Sequence, residues 1–304
     1  MCKVARSYVD GRHGQMHVRI ARPDHASAAP LICIHMSPMS GRVFERLLAK
    51  MGKDRVAIAF DTPGFGMSDT PPTPPEIDDY ARDLLAGLDA LGIAGPVDLM
   101  GYHTGSMIAV ALSRIASARV RRVLMVSAPI ILEEERREFN AYYAHREPDA
   151  DGGHILRRWK GFLYHHLRPG VSIAEVNDAF REALLGGNLE WWGHRAAFNY
   201  DLAADLAHVE QAVLILNTGD DLEQQTRRAE GMAAYSRILD VPGWGHGFIE
   251  QHTSDVEQVV RAFLDAADGA EFAAVVAPPS ATAARFPARS GSFAPVDTLA
   301  ATIA

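Results

Sequence analysis

Short, unbroken apolar runs alternate with amphipathic stretches along most of this chain. Residues 31–34, 56–60, 97–100, 120–126, 213–216 and 237–239 read as strands, and most are too continuously apolar to have a solvated face. Residues 42–51, 76–91, 106–118, 222–233 and 253–265 carry apolar positions at helical spacing. Strands buried on both sides, regularly separated by helices, predict an α/β fold: a mainly parallel sheet covered by helices on both faces. The opening differs. Residues 6–10 and 15–21 flank Gly11-Arg12-His13-Gly14 and predict an antiparallel hairpin at the sheet edge.

The alternation breaks over residues 132–207, which are strand-poor and helical in pattern, as expected of a lid inserted after the strand at 120–126. Within it, Ser172-Ile173-Ala174-Glu175 has the form of a capping box and predicts a helix running to about Leu185. Trp159, Phe162, Tyr164, Trp191, Trp192, Phe198 and Tyr200 all fall here. Some could line an apolar pocket for a small apolar or aromatic molecule; most are expected to fasten the lid to the core. Past Asp268 the chain turns rich in Ala, Pro and Ser with little periodicity, the pattern of an extended tail. The expected division is a core of 1–131 and 208–268, a helical lid of 132–207 and a tail of 269–304.

Composition narrows the function classes. A net charge of −8 with no basic stripe argues against nucleic-acid binding. No twenty-residue apolar run and no leader pattern is evident, so neither a membrane partner nor secretion is expected. The two cysteines, Cys2 and Cys33, suggest no disulfide framework, and a cytoplasmic location is the simplest expectation. A homodimer, with the tail strapped across a neighbouring subunit, is compatible with this composition and not required by it.

The chemistry concentrates at strand ends. Gly101-Tyr102-His103-Thr104-Gly105 joins a buried strand directly to a helix. Such a sharp turn puts its central residue at positive φ and needs small residues two before and two after, a demand Gly101 and Gly105 meet. Upstream, His35-Met36-Ser37-Pro38 follows one strand, and Asp61-Thr62-Pro63-Gly64-Phe65-Gly66-Met67-Ser68 follows the next. Downstream come Asn217-Thr218-Gly219-Asp220-Asp221 and Pro242-Gly243-Trp244-Gly245-His246-Gly247. This ordered set resembles the α/β-hydrolase superfamily, from about Arg6 to Asp265. It departs from that pattern at Met36, where the family has Gly, at the acid spacing, and at His103, which stands where the nucleophilic serine belongs.

The resemblance implies His246 as base and Asp221 as its acid, with Asp220 and Glu223 as competitors. It implies the backbone N–H groups of Thr104 and Ser37 as oxyanion donors, with His35 supporting the first loop, and no cofactor. Met36, Trp191 and Trp192 are the further substrate-contact candidates. Ser106, one turn into the helix, reads as a packing residue. The remaining histidines, among them His145, His165 and His166, are expected on the lid surface or in packing.

His103 leaves several chemistries open. Imidazole is a competent nucleophile, so a hydrolase of a small apolar ester, lactone or related carbonyl compound leads. A lyase or isomerase using His103 and His246 as an acid/base pair follows. A metal site of His35, His103, His246 and an aspartate has no short ligand spacing to support it and is not expected. A non-catalytic ligand-binding member is the last alternative.

Overall fold

The computed structural model describes residues 2–168 and 170–267. An eight-stranded sheet has the order β1-β2-β4-β3-β5-β6-β7-β8. The strands are β1 (Val4–Gly11), β2 (Gly14–Ala21), β3 (Leu31–Ile34), β4 (Ala57–Phe60), β5 (Val97–Tyr102), β6 (Val120–Val126), β7 (Ala212–Asn217) and β8 (Ser236–Asp240). β1 pairs antiparallel with β2 and β2 with β4, whereas β4 to β8 are mutually parallel neighbours in that order. The hairpin at the edge and the parallel interior both follow the sequence pattern.

Every residue of β3, β4 and β5 is buried, because helices cover both faces. Alternate side chains go to opposite layers. Ile32, Ile34, Ile58, Phe60 and Leu99 join one cluster with α2 (Ile77–Ala90) and α3 (Thr104–Ile115). Leu31, Cys33, Ala57, Ala59 and Met100 join another with α1 (Glu45–Met51) and α11 (Thr253–Leu264). The period of two in each strand thus supplies two cores.

Between β6 and β7 stand α4 (Glu133–Tyr142), α5 (Gly153–His166), α6 (Ile173–Ala183), α7 (Glu190–Asn199) and α8 (Leu202–Leu206). The capping box at Ser172 is present: its hydroxyl accepts from the Glu175 N–H, and Glu175 accepts from the Ser172 N–H. Glu182 of α6 accepts a hydrogen bond from Ser40 at 2.5 Å beside Arg42 at 3.5 Å, tying this helical insertion to the core. α9 (Glu223–Arg227) and α10 (Phe248–Gln251) complete the set.

Two sequence expectations shift. The segment 42–51 begins as a 3-10 turn over Gly41–Phe44 before α1 takes over. The helix expected over 222–233 stops at Arg227, since Arg228 turns away to pair with Glu135 of α4 and Gly231 takes a left-handed φ of 72°. The expected tail, 269–304, lies outside the described residues. Among the described residues no helix is long and apolar enough to cross a membrane.

Sheet order places the site. β4 lies on one side of β3 and β5 on the other, so the chain reverses direction of travel there and a crevice opens at the carboxyl ends. The strand-to-helix turn at this point depends on bare backbone. A Cβ on Gly105 would sit 2.1 Å from the Ile34 carbonyl oxygen, and one on Gly101 2.2 Å from the Gly105 carbonyl oxygen. Gly105→Ala is expected to destabilise the protein by about 3 kcal/mol or more, because backbone would have to move. Gly95→Ala, whose Cβ meets nothing within 4 Å, should stay within about 0.5 kcal/mol. Denaturant titration of both variants checks this; equal midpoints would refute the packing argument.

Candidate active site

β5 runs to Tyr102, and α3 begins at Thr104. The residue between them, His103, has φ 47° and ψ −109°, a backbone that only strong surroundings hold in a residue other than glycine. Its N–H bonds the Val126 carbonyl at 2.9 Å, and Ser106 Oγ donates to the Gly101 and Val126 carbonyls. Ser106 is therefore packing, as expected. Ser127, at the end of the neighbouring strand, is the other described non-glycine residue at positive φ, 60°.

The loop after β7 brings two acids to two histidines. His103 Nε2 lies 2.8 Å from Asp220 Oδ2, and His246 Nε2 lies 2.5 Å from Asp221 Oδ1. The His246–Asp221 pairing expected from the sequence is in place, and the competitor Asp220 is at the site as well, on the other histidine. Glu223, the third candidate, opens α9 instead. The two imidazoles meet edge to face with centroids 5.1 Å apart. Each histidine has its own carboxylate, so the site holds two His–Asp dyads in place of one relay.

Protonation follows from the donors. Asp220 Oδ2 also accepts the Ser127 and Thr218 hydroxyls, each at 2.9 Å, and Oδ1 accepts the Leu222 N–H at 2.9 Å. Burial opposes its charge, yet His103 and His246 hold its pKa below the ordinary carboxylate value. An ionised Asp220 surrounded by donors requires the His103 proton on Nε2 and leaves the lone pair of neutral His103 on Nδ1. That nitrogen is only one bond farther from Cβ than a serine Oγ would be.

At His246, burial disfavours the imidazolium, but Asp221, with Asp220 behind it, outweighs burial and Arg168 and raises the pKa above the ordinary histidine value. Burial likewise opposes ionisation of Asp221, and His246 and His165 overcome it. His246 Nδ1 is buried with no hydrogen-bond partner.

The oxyanion candidates are backbone groups. Thr104 is the first residue of α3, where helical N–H groups have no intrahelical acceptor. Ser37 and Met36 line the cavity, and α7 presses close to Ser37: a Cβ on Gly193 would lie 1.9 Å from its Oγ. His35 stands apart from the dyads. Its Nδ1 faces the Met36 carbonyl at 2.9 Å and its Nε2 accepts the Thr62 N–H at 2.9 Å, so both nitrogens serve the loop and neither is free for a metal. Burial lowers its pKa, and it sits there as a neutral ring. Asp61, the head of the second turn, takes His17 Nδ1 (2.9 Å), Arg19 (3.0 Å) and the N–H groups of Gly41 (2.8 Å) and Met67 (3.0 Å). One buried carboxylate thereby fixes both loops that flank the crevice.

The crevice is a cavity of about 610 Å³ between the strand ends and the helical insertion. Trp191 lines it, but Trp192 does not: on the opposite side of α7, Trp192 is buried against the Gly64 turn. Two adjacent tryptophans on a helix cannot share a face. Trp159 and Phe198 fasten helices through Phe180 and Phe139, at 5.2 Å in each case. Phe162 lines the cavity.

The expectation for the lid histidines needs correction. His145, His165 and His166 line the cavity, together with His154 and His194. His165 Nδ1 reaches 3.4 Å from Asp221 Oδ2, so the insertion contributes directly to the acid loop. Burial pushes His166 well below the ordinary value and His194 down to about 4. Nothing in the spacing of His165 or Ser127 announced these contacts, because each depends on a strand or helix distant in sequence.

Comparison with known proteins identifies the family. Residues 31–262 match the Alpha/beta hydrolase family. A bifunctional esterase/perhydrolase of Acinetobacter calcoaceticus is 24% identical over 256 residues, covering 78% of this chain and 92% of that protein. A non-heme chloroperoxidase of Streptomyces lividans is 23% identical over 256 residues, covering 77% and 91%. The crystal structure of the enol-lactonase from Burkholderia xenovorans LB400 superposes with a TM-score of 0.67 at 20% identity, covering 86% of this chain and all of that one. The chain belongs to the α/β hydrolase family, and it is an enzyme of hydrolase type.

Asp221→Asn should lower the His246 pKa, because it removes the nearest charge stabilising the imidazolium. NMR titration of the His246 ring proton in the unaltered and variant proteins measures the shift; an unchanged value would assign the perturbation elsewhere.

Proposed function

We propose that this enzyme hydrolyses a small apolar or aromatic ester or lactone in the cytoplasm, with His103 in the nucleophile's place. The observation that carries the reading is the pair of His–Asp dyads facing one cavity. His103, its Nε2 proton held by Asp220, attacks the carbonyl carbon through Nδ1. The Thr104 and Ser37 N–H groups receive the oxyanion. His246, kept protonated by Asp221, is the acid that protonates the leaving oxygen as the C–O bond breaks. Water then adds to the acyl-imidazole, returns a proton to His246 and releases the acid.

A second reading keeps the same residues without a covalent intermediate, as in a lyase or isomerase. It is supported by the rings' independence: each Nε2 is occupied by its own carboxylate, so one imidazole can act as base while the other acts as acid. The residues 132–207 act in either case as a lid that carries part of the substrate pocket.

Turnover of short esters and lactones by the unaltered chain, His103→Ala, His103→Ser and His246→Ala tests the proposal, with mass spectrometry of quenched reactions. The expected result is an acyl adduct on His103 and a loss of about 10²–10⁴-fold or more in kcat for each alanine variant. His103→Ser should be impaired too, since His246 Nε2 points to Asp221 and no base is aimed at the new hydroxyl. Activity confined to His103→Ser would overturn the assignment. Full turnover without any adduct would favour the non-covalent reading. Because protonated His246 is required, activity should fall as pH rises through its raised pKa, and Asp221→Asn should move that fall to lower pH.

A further inference from the structure

Two imidazoles and two carboxylates converge on one patch of the cavity wall. One donor atom each from His103, His246, Asp220 and Asp221 lies within 4.8 Å of the other three. These are the nitrogen and oxygen donors that zinc-type ions take, tetrahedrally and with bonds of about 2.0–2.2 Å. Bonds of that length put neighbouring donors about 3.3 Å apart. The two His–Asp contacts, at 2.8 and 2.5 Å, would open slightly to such an edge, and the wider separations, up to 4.8 Å, would close by up to about 1.5 Å through side-chain rotation.

Charge and surroundings point the same way. Two carboxylates neutralise one dication, and two neutral imidazoles complete four ligands. Outer partners that would hold the ligands are present: Ser127, Thr218 and the Leu222 N–H on Asp220, and His165 on Asp221. His103 and His246 both line the cavity, so an ion can reach them from it. His35 takes no part, since its nitrogens are engaged by Met36 and Thr62.

We propose that these four side chains bind one divalent transition-metal ion of zinc type, and that the ion switches hydrolysis off by occupying both histidines. On binding, each Nε2 gives up the proton it shares with its carboxylate and offers the freed lone pair to the ion; that proton moves to Nδ1 at His103 and passes to solvent at His246, whose Nδ1 keeps its own. The binding site stands on geometry alone; the inhibitory role rests on the hydrolase reading above.

The test is calorimetric titration of the full, metal-free chain with zinc chloride, supported by cobalt(II) absorbance. One ion per chain, a tetrahedral cobalt spectrum and perturbed ring-proton resonances of His103 and His246 are expected. His246→Ala and Asp221→Asn, each shown folded by circular dichroism, should weaken binding by more than the ~10–100-fold typical of losing an outer partner. Absence of saturable uptake by the unaltered chain, or undiminished uptake in both folded variants, overturns the site. Hydrolysis should fall in step with zinc occupancy and return with a chelator. Full activity at full occupancy overturns the inhibitory role and leaves the hydrolase reading intact. A zinc-binding chain that turns over no ester or lactone when metal-free overturns that role together with the reading, and not the site.

Discussion

The Asp220 carboxylate is the interaction on which the site's architecture rests. Its side chain has no exposed surface, and it accepts from His103 at the end of β5, Ser127 at the end of β6, and Thr218 and the Leu222 N–H beyond β7. Three adjacent strands are therefore clamped at their carboxyl ends by one buried anion. Burial alone would expel that charge, and the surrounding donors are what retain it. Each of those donors, deprived of the acid, would carry a desolvation penalty of about 1–3 kcal/mol. The two strained residues, His103 and Ser127, both spend their side chains on it. Backbone strain and buried charge are coupled, each making the other tolerable.

The carboxylate can do this because backbone elements approach more closely than side chains allow. Gly105 lies against the Ile34 carbonyl, and Gly101 against Gly105, so α3 starts immediately above β3 and β5. Asp61 performs the equivalent service for the other rim. It ties β2 through His17 and Arg19 to the loops at Gly41 and Met67, while Gly66 passes so near that a Cβ there would lie 2.2 Å from its Oδ2. Two buried acids thus organise the two sides of one crevice.

Electrostatics separates the two histidines that the fold brings together. His103 belongs to Asp220 and His246 to Asp221, which is further shared with His165 of the insertion. In a single relay, the elbow side chain passes its proton to the histidine, and the acid only steadies that histidine. Here neither ring is aimed at the other as a proton acceptor, and the edge-to-face contact at 5.1 Å is one of packing. An imidazole needs no base to become a nucleophile, whereas a hydroxyl does.

Much of this was legible in the sequence, and the boundary has a physical cause. Strands, helices, the edge hairpin, the elbow with its two glycines and the Asp61 turn all rest on local pattern: apolar periodicity, positive φ, capping. Local pattern also brought Asp220, Asp221, His103 and His246 to loops at the same end of the sheet. Which acid serves which histidine was left open, because adjacent residues on one loop differ only in direction, and direction is set by the strands packed beside them. Trp191 and Trp192 were separable in principle by helical geometry, but which of them meets the cavity depends on what α7 packs against. His165 and Ser127 carried no signal at all, their partner lying some 56 and 93 positions away in the chain. The sequence by itself determined the sheet, its order of chemistry-bearing loops and the histidine at the elbow, since these follow from short-range sterics and hydrophobic periodicity. Only the tertiary structure decided the pairing into two dyads and the histidine-rich wall above them, since hydrogen-bond direction and burial are properties of the assembled core.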